Sequence, residues 1–303
     1  MLNDKCILCP RECNVDRKQG KTGYCGQTNK IYVARAGLHM WEEPCITGKN
    51  GSGTVFFCGC SLKCIYCQNS KIALGNKNSM EQIGKEISIE RLKEIFIELQ
   101  MKGAQNINLV TGTHYISQIA IALKEAKKEG LMIPIVYNTG GYEKKESLKL
   151  LEGLVDIYLP DMKYLSKELS KEYSHAEDYF DVTKEAIKEM VRQVGELTFD
   201  ESKNLKKGVI VRHLVLPGTT RDSKAVLEYL WNSYGNKIYL SILNQYTPME
   251  QMKNHPLLRR KVTKREYEKV VSYALSLGWE NGFIQEGETA KESFIPGFDG
   301  QGV

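Results

Sequence analysis

Residues 54–69 read TVFFCGCSLKCIYCQN. The β-branched and aromatic residues Thr54 to Phe57 predict a strand, and three cysteines follow it at the spacing C-x3-C-x2-C: Cys60, Cys64 and Cys67. Three thiolates this close in sequence can wrap one face of a cubane iron–sulfur cluster, which needs four ligands. Cys58 precedes the loop on the strand and is not placed to supply the fourth. One iron would keep an open position that a small molecule could chelate.

The rest of the chain gives these thiols their context. It has 303 residues, 42% hydrophobic and 26% charged, the profile of an ordinary globular protein. Lysine and arginine number 42 against 37 acidic residues, with signs alternating along most segments, which argues against a nucleic-acid partner. The nearest basic patch, Lys203, Lys206 and Lys207, is expected in a loop. No apolar run marks a signal peptide or a membrane span, so a cytoplasmic location is expected. In that reducing compartment disulfides are rare. The nine cysteines all lie at or before position 67, and clustered thiols of this kind point to metal or cluster ligation.

From Glu86 onward, helical and strand-like segments alternate. Ser88 is placed to cap a helix carrying Leu92, Ile95, Phe96 and Leu99 on one face, with Gly103 as its stop. Strands are expected at 106–110, 133–137, 155–159, 209–216 and 238–243. Helices are expected from Ile116 to about Gly130, then at 147–151, 183–194, 223–234 and 264–277. Strands separated by helices of this length build right-handed βαβ units and a parallel sheet. With the strand at 53–57 there are about six repeats, which predicts an α/β fold, an open partial (β/α)6 TIM-like barrel. A doubly wound sheet is the alternative, but its G-x-G-x-x-G phosphate fingerprint is absent. The expected division is a Cys-rich metal-binding segment at 1–50 and the barrel at 51–303.

The C-x3-C-x-aromatic-C pattern, with Tyr66 as the aromatic residue, resembles the signature of the radical S-adenosylmethionine superfamily. That resemblance implies a 4Fe–4S cluster whose open iron binds S-adenosylmethionine. It further implies an electron donor such as flavodoxin or ferredoxin, and reductive cleavage to methionine and a 5′-deoxyadenosyl radical that abstracts hydrogen. A zinc site, or a cluster that only carries electrons, is the plainer reading of the three thiols; zinc sets usually show paired C-x2-C motifs and a fourth ligand.

The strand ends extend the resemblance. Tyr137-Asn138-Thr139-Gly140-Gly141, Leu159-Pro160-Asp161-Met162-Lys163 and Val211-Arg212-His213-Leu214 are similar to segments of the glycyl-radical-enzyme activases, typified by pyruvate formate-lyase activating enzyme. The resemblance implies that Asn138, Asp161 and Lys163 line the cofactor or substrate cavity, with Asp161 and Lys163 as catalytic candidates. A surface ion pair is the bland alternative for the last two. The family's Gly-Gly-Glu motif is missing after the 106–110 strand, where Thr111-Gly112-Thr113-His114 stands. Thr111 or Thr113, with backbone carbonyls, is expected to replace it. His114 reads equally as a ligand and as a hydrogen-bonded structural histidine. Arg212 and His213 alternate faces, so only one can point into the barrel.

Before the barrel, Cys6, Cys9, Cys13 and Cys25 form a second four-thiolate set, with Gly20, Gly23 and Gly26 for tight turns. Four thiols with none left over suit a closed structural zinc site, and a second iron–sulfur cluster is the competing reading. This leader, with Gly37-Leu38-His39 and Glu42-Glu43-Pro44, is similar to that of an activase-like branch homologous to pyruvate formate-lyase activating enzyme. Surface acids at Glu42 and Glu43 and a buried structural histidine at His39 are the plainer reading, with His39 and Glu42 as contributors to the site the alternative; Cys45 and Cys58 read as packing residues. An anaerobic-type oxidoreductase acting on a protein or peptide, through a glycine Cα–H, is the leading expectation. A small metabolite, RNA, or a non-catalytic electron carrier are the alternatives.

Overall fold

The computed structural model describes residues 5–74, 83–285 and 297–303. Strand β1 (Ile31–His39) runs antiparallel to β2 (Ser52–Phe57), with the short helix α1 (Pro44–Thr47) in the connection. After the cysteine loop come α2 (Ser70–Ala73), β3 (Lys85–Ile87), which pairs with β1, and α3 (Ile89–Met101). The βα alternation then proceeds through β4 (Ile107–Val110), α4 (Ile116–Lys128), β5 (Ile135–Thr139), α5 (Lys145–Leu148) and β6 (Ile157–Pro160). Helices α6 (Lys167–Ser174) and α7 (Tyr179–Val194) precede β7 (Thr198–Phe199) and β8 (Leu205–Leu214). The series closes with α8 (Thr220–Tyr234), β9 (Tyr239–Leu243), α9 (Lys264–Leu277) and β10 (Gly282–Ile284).

The strands order as β10-β9-β8-β6-β5-β4-β2-β1-β3, with β7 hairpinned onto β8. Every pair from β2 to β10 along this path is parallel. Among the described residues the two ends do not pair, so the expected open α/β architecture is the one observed, with β2, β4, β5, β6, β8 and β9 as the six barrel strands. Their carboxyl ends share one edge, the edge at which parallel sheets assemble sites.

Local chemistry sets the element boundaries. Ser88 Oγ accepts the Arg91 N–H at 3.0 Å, and Leu92, Ile95, Phe96 and Leu99 are buried beneath α3. Thr263 and Glu266 form a reciprocal capping box, starting α9 at the expected residue. Two expectations change. Lys206 and Lys207 belong to β8 and are not in a loop. No element is expected between the strand at 155–159 and the helix at 183–194, where α6 and the first turn of α7 lie. The α6 sequence KELSKEYS is too polar to show an apolar stripe, yet it buries Tyr173 and Ser174.

Candidate active site

The cysteine loop leaves β2 at Cys58 and turns through a left-handed Lys63, φ 56°. The Cys67 N–H bonds the Cys64 carbonyl at 3.1 Å, and the Ile65 N–H bonds the Tyr173 carbonyl at 2.9 Å. Both bonds curl the loop around a cavity of about 470 Å³. Cys60, Cys64, Cys67 and Tyr66 line one wall of it. Thr111, Asn138, Asp161 and Lys163, from the ends of β4, β5 and β6, line the other. All eight residues expected at this site therefore share one space, although no two of the three strand ends are neighbours in sequence.

The cavity wall is built on charge. Asp161 Oδ1 accepts from Arg212 Nε at 2.9 Å, and Asp161 Oδ2 from Lys163 Nζ at 2.5 Å. Arg212 also donates to Asn138 Oδ1 at 2.6 Å and stands 3.7 Å from Glu42 Oε2. Burial pushes the Asp161 pKa upward, but Arg212 and Lys163 outweigh it and hold the carboxyl below its usual range. Burial also opposes the charge on Lys163, and Asp161 overcomes this, so the ammonium is retained. Glu42 and Glu43 are pushed up by burial in spite of Arg212. Glu42 lines the cavity with its side chain largely covered, and Glu43 is buried beside it, which corrects the expectation of surface carboxylates. An adjacent Glu-Glu-Pro looks solvent-facing until its partner arrives from β8, some 170 positions away.

Strand β8 settles which side chain enters. Arg212 faces the cavity, while His213 is buried on the opposite side with Nδ1 bonded to the Met162 carbonyl at 2.8 Å. His114 is buried beneath the site, Nε2 bonded to the Cys58 carbonyl at 2.7 Å, and burial pushes its pKa down to about 3. It is the hydrogen-bonded structural histidine of the two readings. Glu143 lies behind the wall: Thr113 Oγ1 donates to its Oε1 at 2.6 Å, Thr139 Oγ1 donates to the same oxygen, and burial raises its pKa to about 7. Its participation has no signal in the sequence, because one of the threonines that reach it comes from the turn after β4 and the other from the end of β5. Thr111, a β-branched residue, is held at φ 59°, an unfavourable backbone state maintained at the cavity edge by its N–H bond to the Asn138 carbonyl.

Gly141 shows how tightly the charged wall is fitted. Its φ is +81°, and an added Cβ would stand 2.2 Å from the Asp161 carbonyl oxygen and 2.9 Å from Thr183 Cγ2. Gly141→Ala is expected to cost about 3 kcal/mol, from left-handed strain plus displacement of the 161–163 segment. A urea-unfolding midpoint unchanged from the parent protein would contradict this packing.

The thiols suit a cluster with one open iron. Three come from one loop on one wall. Cys58, the nearest further candidate, is fully buried off the cavity. Cys64 Sγ accepts the Ser174 hydroxyl at 2.9 Å, a hydrogen bond that favours thiolate. In the leader, Cys9 and Cys25 are buried, with Cys25 and Cys13 near enough to raise the Cys9 pKa and Cys6 and Cys13 near enough to raise that of Cys25. Burial is the larger effect and takes Cys9 up to about 12. The Tyr24 N–H bonds Cys13 Sγ at 3.1 Å. Among the described residues, no three Cys, His, Asp or Glu groups are drawn together as ligands of a single ion. Thiolates on separate irons of a cubane stand farther apart than that, whereas the leader's four would have to close in to take zinc.

This geometry, three thiols and a charged wall at the carboxyl edge of an open parallel sheet, agrees with the comparison to known proteins. Residues 54–230 match the family model of the Radical SAM superfamily, and the chain belongs to that superfamily. Membership brings a 4Fe–4S cluster and S-adenosylmethionine as cofactors. The chain is 29% identical over 278 residues to the uncharacterized protein MJ0674 of Methanocaldococcus jannaschii, covering 89% of this chain and 74% of that one. The fold is like that of the FeFe-hydrogenase maturase HydG from Carboxydothermus hydrogenoformans, with a TM-score of 0.53 at 14% identity over 80% of this chain. The match spans 55% of HydG. A domain of pyruvate-formate lyase-activating enzyme from Bacteroides vulgatus aligns at a TM-score of 0.40 and 11% identity, over 57% of this chain and 92% of the domain. No helix among the described residues is long and apolar enough to cross a membrane.

Proposed function

We propose that Cys60, Cys64 and Cys67 hold the 4Fe–4S cluster and that the protein is a radical enzyme abstracting hydrogen from a protein or peptide. The observation that carries this reading is the arrangement of three cavity-lining thiols with no fourth cysteine in the cavity. When bound, the cluster and S-adenosylmethionine supply a one-electron cleavage that yields methionine and a 5′-deoxyadenosyl radical. The protein contributes binding and orientation. Lys163 Nζ, bonded only to Asp161 among the described residues, keeps donors available for a carboxylate in the cavity. Asp161 is fixed by two cations and stays ionised, so it holds Lys163 in place and can accept from a ligand hydroxyl or amine. Thr111 and Asn138 offer polar contacts from the neighbouring strand ends. Tyr66 is locked by its hydroxyl contact with Tyr164 and closes the wall beside the cluster.

The cavity falls within the volume range of small-ligand sites and would be largely filled by the cofactor. Met40 and Trp41 line it and are also exposed, giving the mouth an apolar rim against which a larger substrate can lie. This supports a polypeptide target, with a glycine Cα–H as its specific site. The electron is supplied by a reductant such as flavodoxin or ferredoxin. The test is anaerobic: reduced holoprotein with S-adenosylmethionine should form 5′-deoxyadenosine and methionine in equal amounts, and formation no faster than without reductant would overturn the reading. With a polypeptide labelled by α-deuterated glycine, deuterium should appear in the 5′-deoxyadenosine. Turnover without deuterium transfer would move the target to a small metabolite.

The leader's Cys6, Cys9, Cys13 and Cys25 are proposed as a second, structural metal centre. Metal analysis of anaerobically purified protein should find about one zinc beside about four irons; about eight irons without zinc would assign a second cluster.

A further inference from the structure

The leader reaches across to the loop that carries the triad, and Arg11 makes most of that crossing. Its Nε donates to the Ser61 carbonyl at 2.8 Å, Nη1 to the His175 carbonyl at 2.5 Å and Nη2 to the Ser174 carbonyl at 3.3 Å. Ser61 immediately follows Cys60. Ser174 ends α6, where helix carbonyls lack intrahelical partners and the dipole favours a cation. Ser174 also donates its hydroxyl to Cys64 Sγ. The guanidinium lies 4.1 Å from the Tyr24 ring centroid and 5.2 Å from that of Tyr142. Tyr24 adds its own bond, OH to the Leu62 carbonyl at 3.4 Å, so two leader residues hold the two positions that follow Cys60.

We infer that Arg11 is a positioning residue for the cluster: it clamps the Cys60–Cys64 segment to the end of α6 and thereby fixes the sulfurs that the leader itself does not supply. The inference rests on the triad as cluster site. The clamp is set by the leader's own fold, because the Glu12 N–H bonds the Cys9 carbonyl at 3.1 Å and closes the turn that carries Arg11. Gly59, φ +90°, lets the two segments approach: a Cβ there would lie 2.8 Å from the Cys25 carbonyl oxygen. A planar fork reaching carbonyls on two elements is a task for arginine, since a lysine ammonium cannot span them in the same way.

The experiment uses the anaerobic holoprotein and follows iron loss to a chelator, together with leader-metal content and the EPR spectrum of the reduced cluster. Arg11→Gln is expected to lose triad iron about tenfold faster, with a broadened spectrum, because charge-assisted hydrogen bonds on the loop are gone. Arg11→Lys should fall between the two. Retained leader metal and an unchanged circular dichroism spectrum would show that the variant is folded. Should Arg11→Gln fail that check, Arg11→Lys at about threefold carries the test on the same basis. Iron loss at the parental rate and an unaltered spectrum in the folded variants would overturn the inference. Absence of a four-iron cluster in the parent protein would instead overturn the triad assignment on which it rests.

Discussion

Cys64→Ala is expected to lower 5′-deoxyadenosine formation by at least about a hundredfold, with loss of the triad's iron. Cys64 is the most buried of the three thiols and the middle one in the loop. Burial pushes its pKa up, against the opposing pull of Lys163, so without metal the thiol keeps its proton. Cluster binding has to displace that proton, and the Ser174 hydroxyl and Lys163 are placed to stabilise the charge that results. Removing the sulfur leaves two ligands, Cys60 and Cys67. Cys58→Ala is the control: its side chain is fully buried off the cavity, so product formation should persist at a cost in stability of about 1 kcal/mol. Equal activity in Cys64→Ala and the parent would contradict the assignment, as would equal loss in the two variants.

Arg212→Met is expected to destabilise the fold by about 3–5 kcal/mol, because breaking a buried ion network strands charges. Arg212 faces Asp161, Asn138 and Glu42, and its field also acts on Glu43. In the intact protein Asp161 lies below its ordinary value of 3.8, so its contribution is present above that pH and is lost on acidification below it. Glu42 and Glu43 lie above their ordinary 4.5, so their contribution is greatest below that pH and is lost as pH rises. Without Arg212, Lys163 still pairs with Asp161, but Glu42 and Glu43 lose their cation and burial alone governs them, so their pH dependence dominates. The variant should gain stability on moving from about pH 8 to about pH 5, and a second change, Glu42→Gln, should recover part of the loss by removing the acid left without its cation. Urea unfolding at the two pH values checks this; a loss below about 1 kcal/mol with no pH dependence would show that the network is not stabilised through Arg212.

The chemistry was legible where it is local. The C-x3-C-x2-C spacing needs nothing beyond eight consecutive residues, and the caps at Ser88 and Thr263 are read within one turn. The resemblance to the activases picked out Asn138, Asp161 and Lys163, and the βα alternation put them on one edge, since each strand delivers its last residue there. What the sequence hid depends on partners far along the chain. Arg212 and His213 are equivalent in pattern, and only the register of β8 beside β6 and β9 sends the arginine inward. Glu42 and Glu43 look solvated until Arg212 is placed next to them. Ser174 and Arg11 sit in polar stretches with no periodicity, and their roles arise from three carbonyls and one sulfur that the fold carries to them.

The most direct measurement of the central claim is the EPR spectrum of the anaerobically reduced holoprotein before and after adding S-adenosylmethionine. If the Cys60–Cys64–Cys67 cluster has one iron without a protein ligand, the spectrum shifts when the cofactor is added, and the shift is absent in Cys64→Ala. A four-iron signal that S-adenosylmethionine leaves unchanged would mean the fourth iron is already ligated, and the assignment of this site to radical chemistry would be wrong.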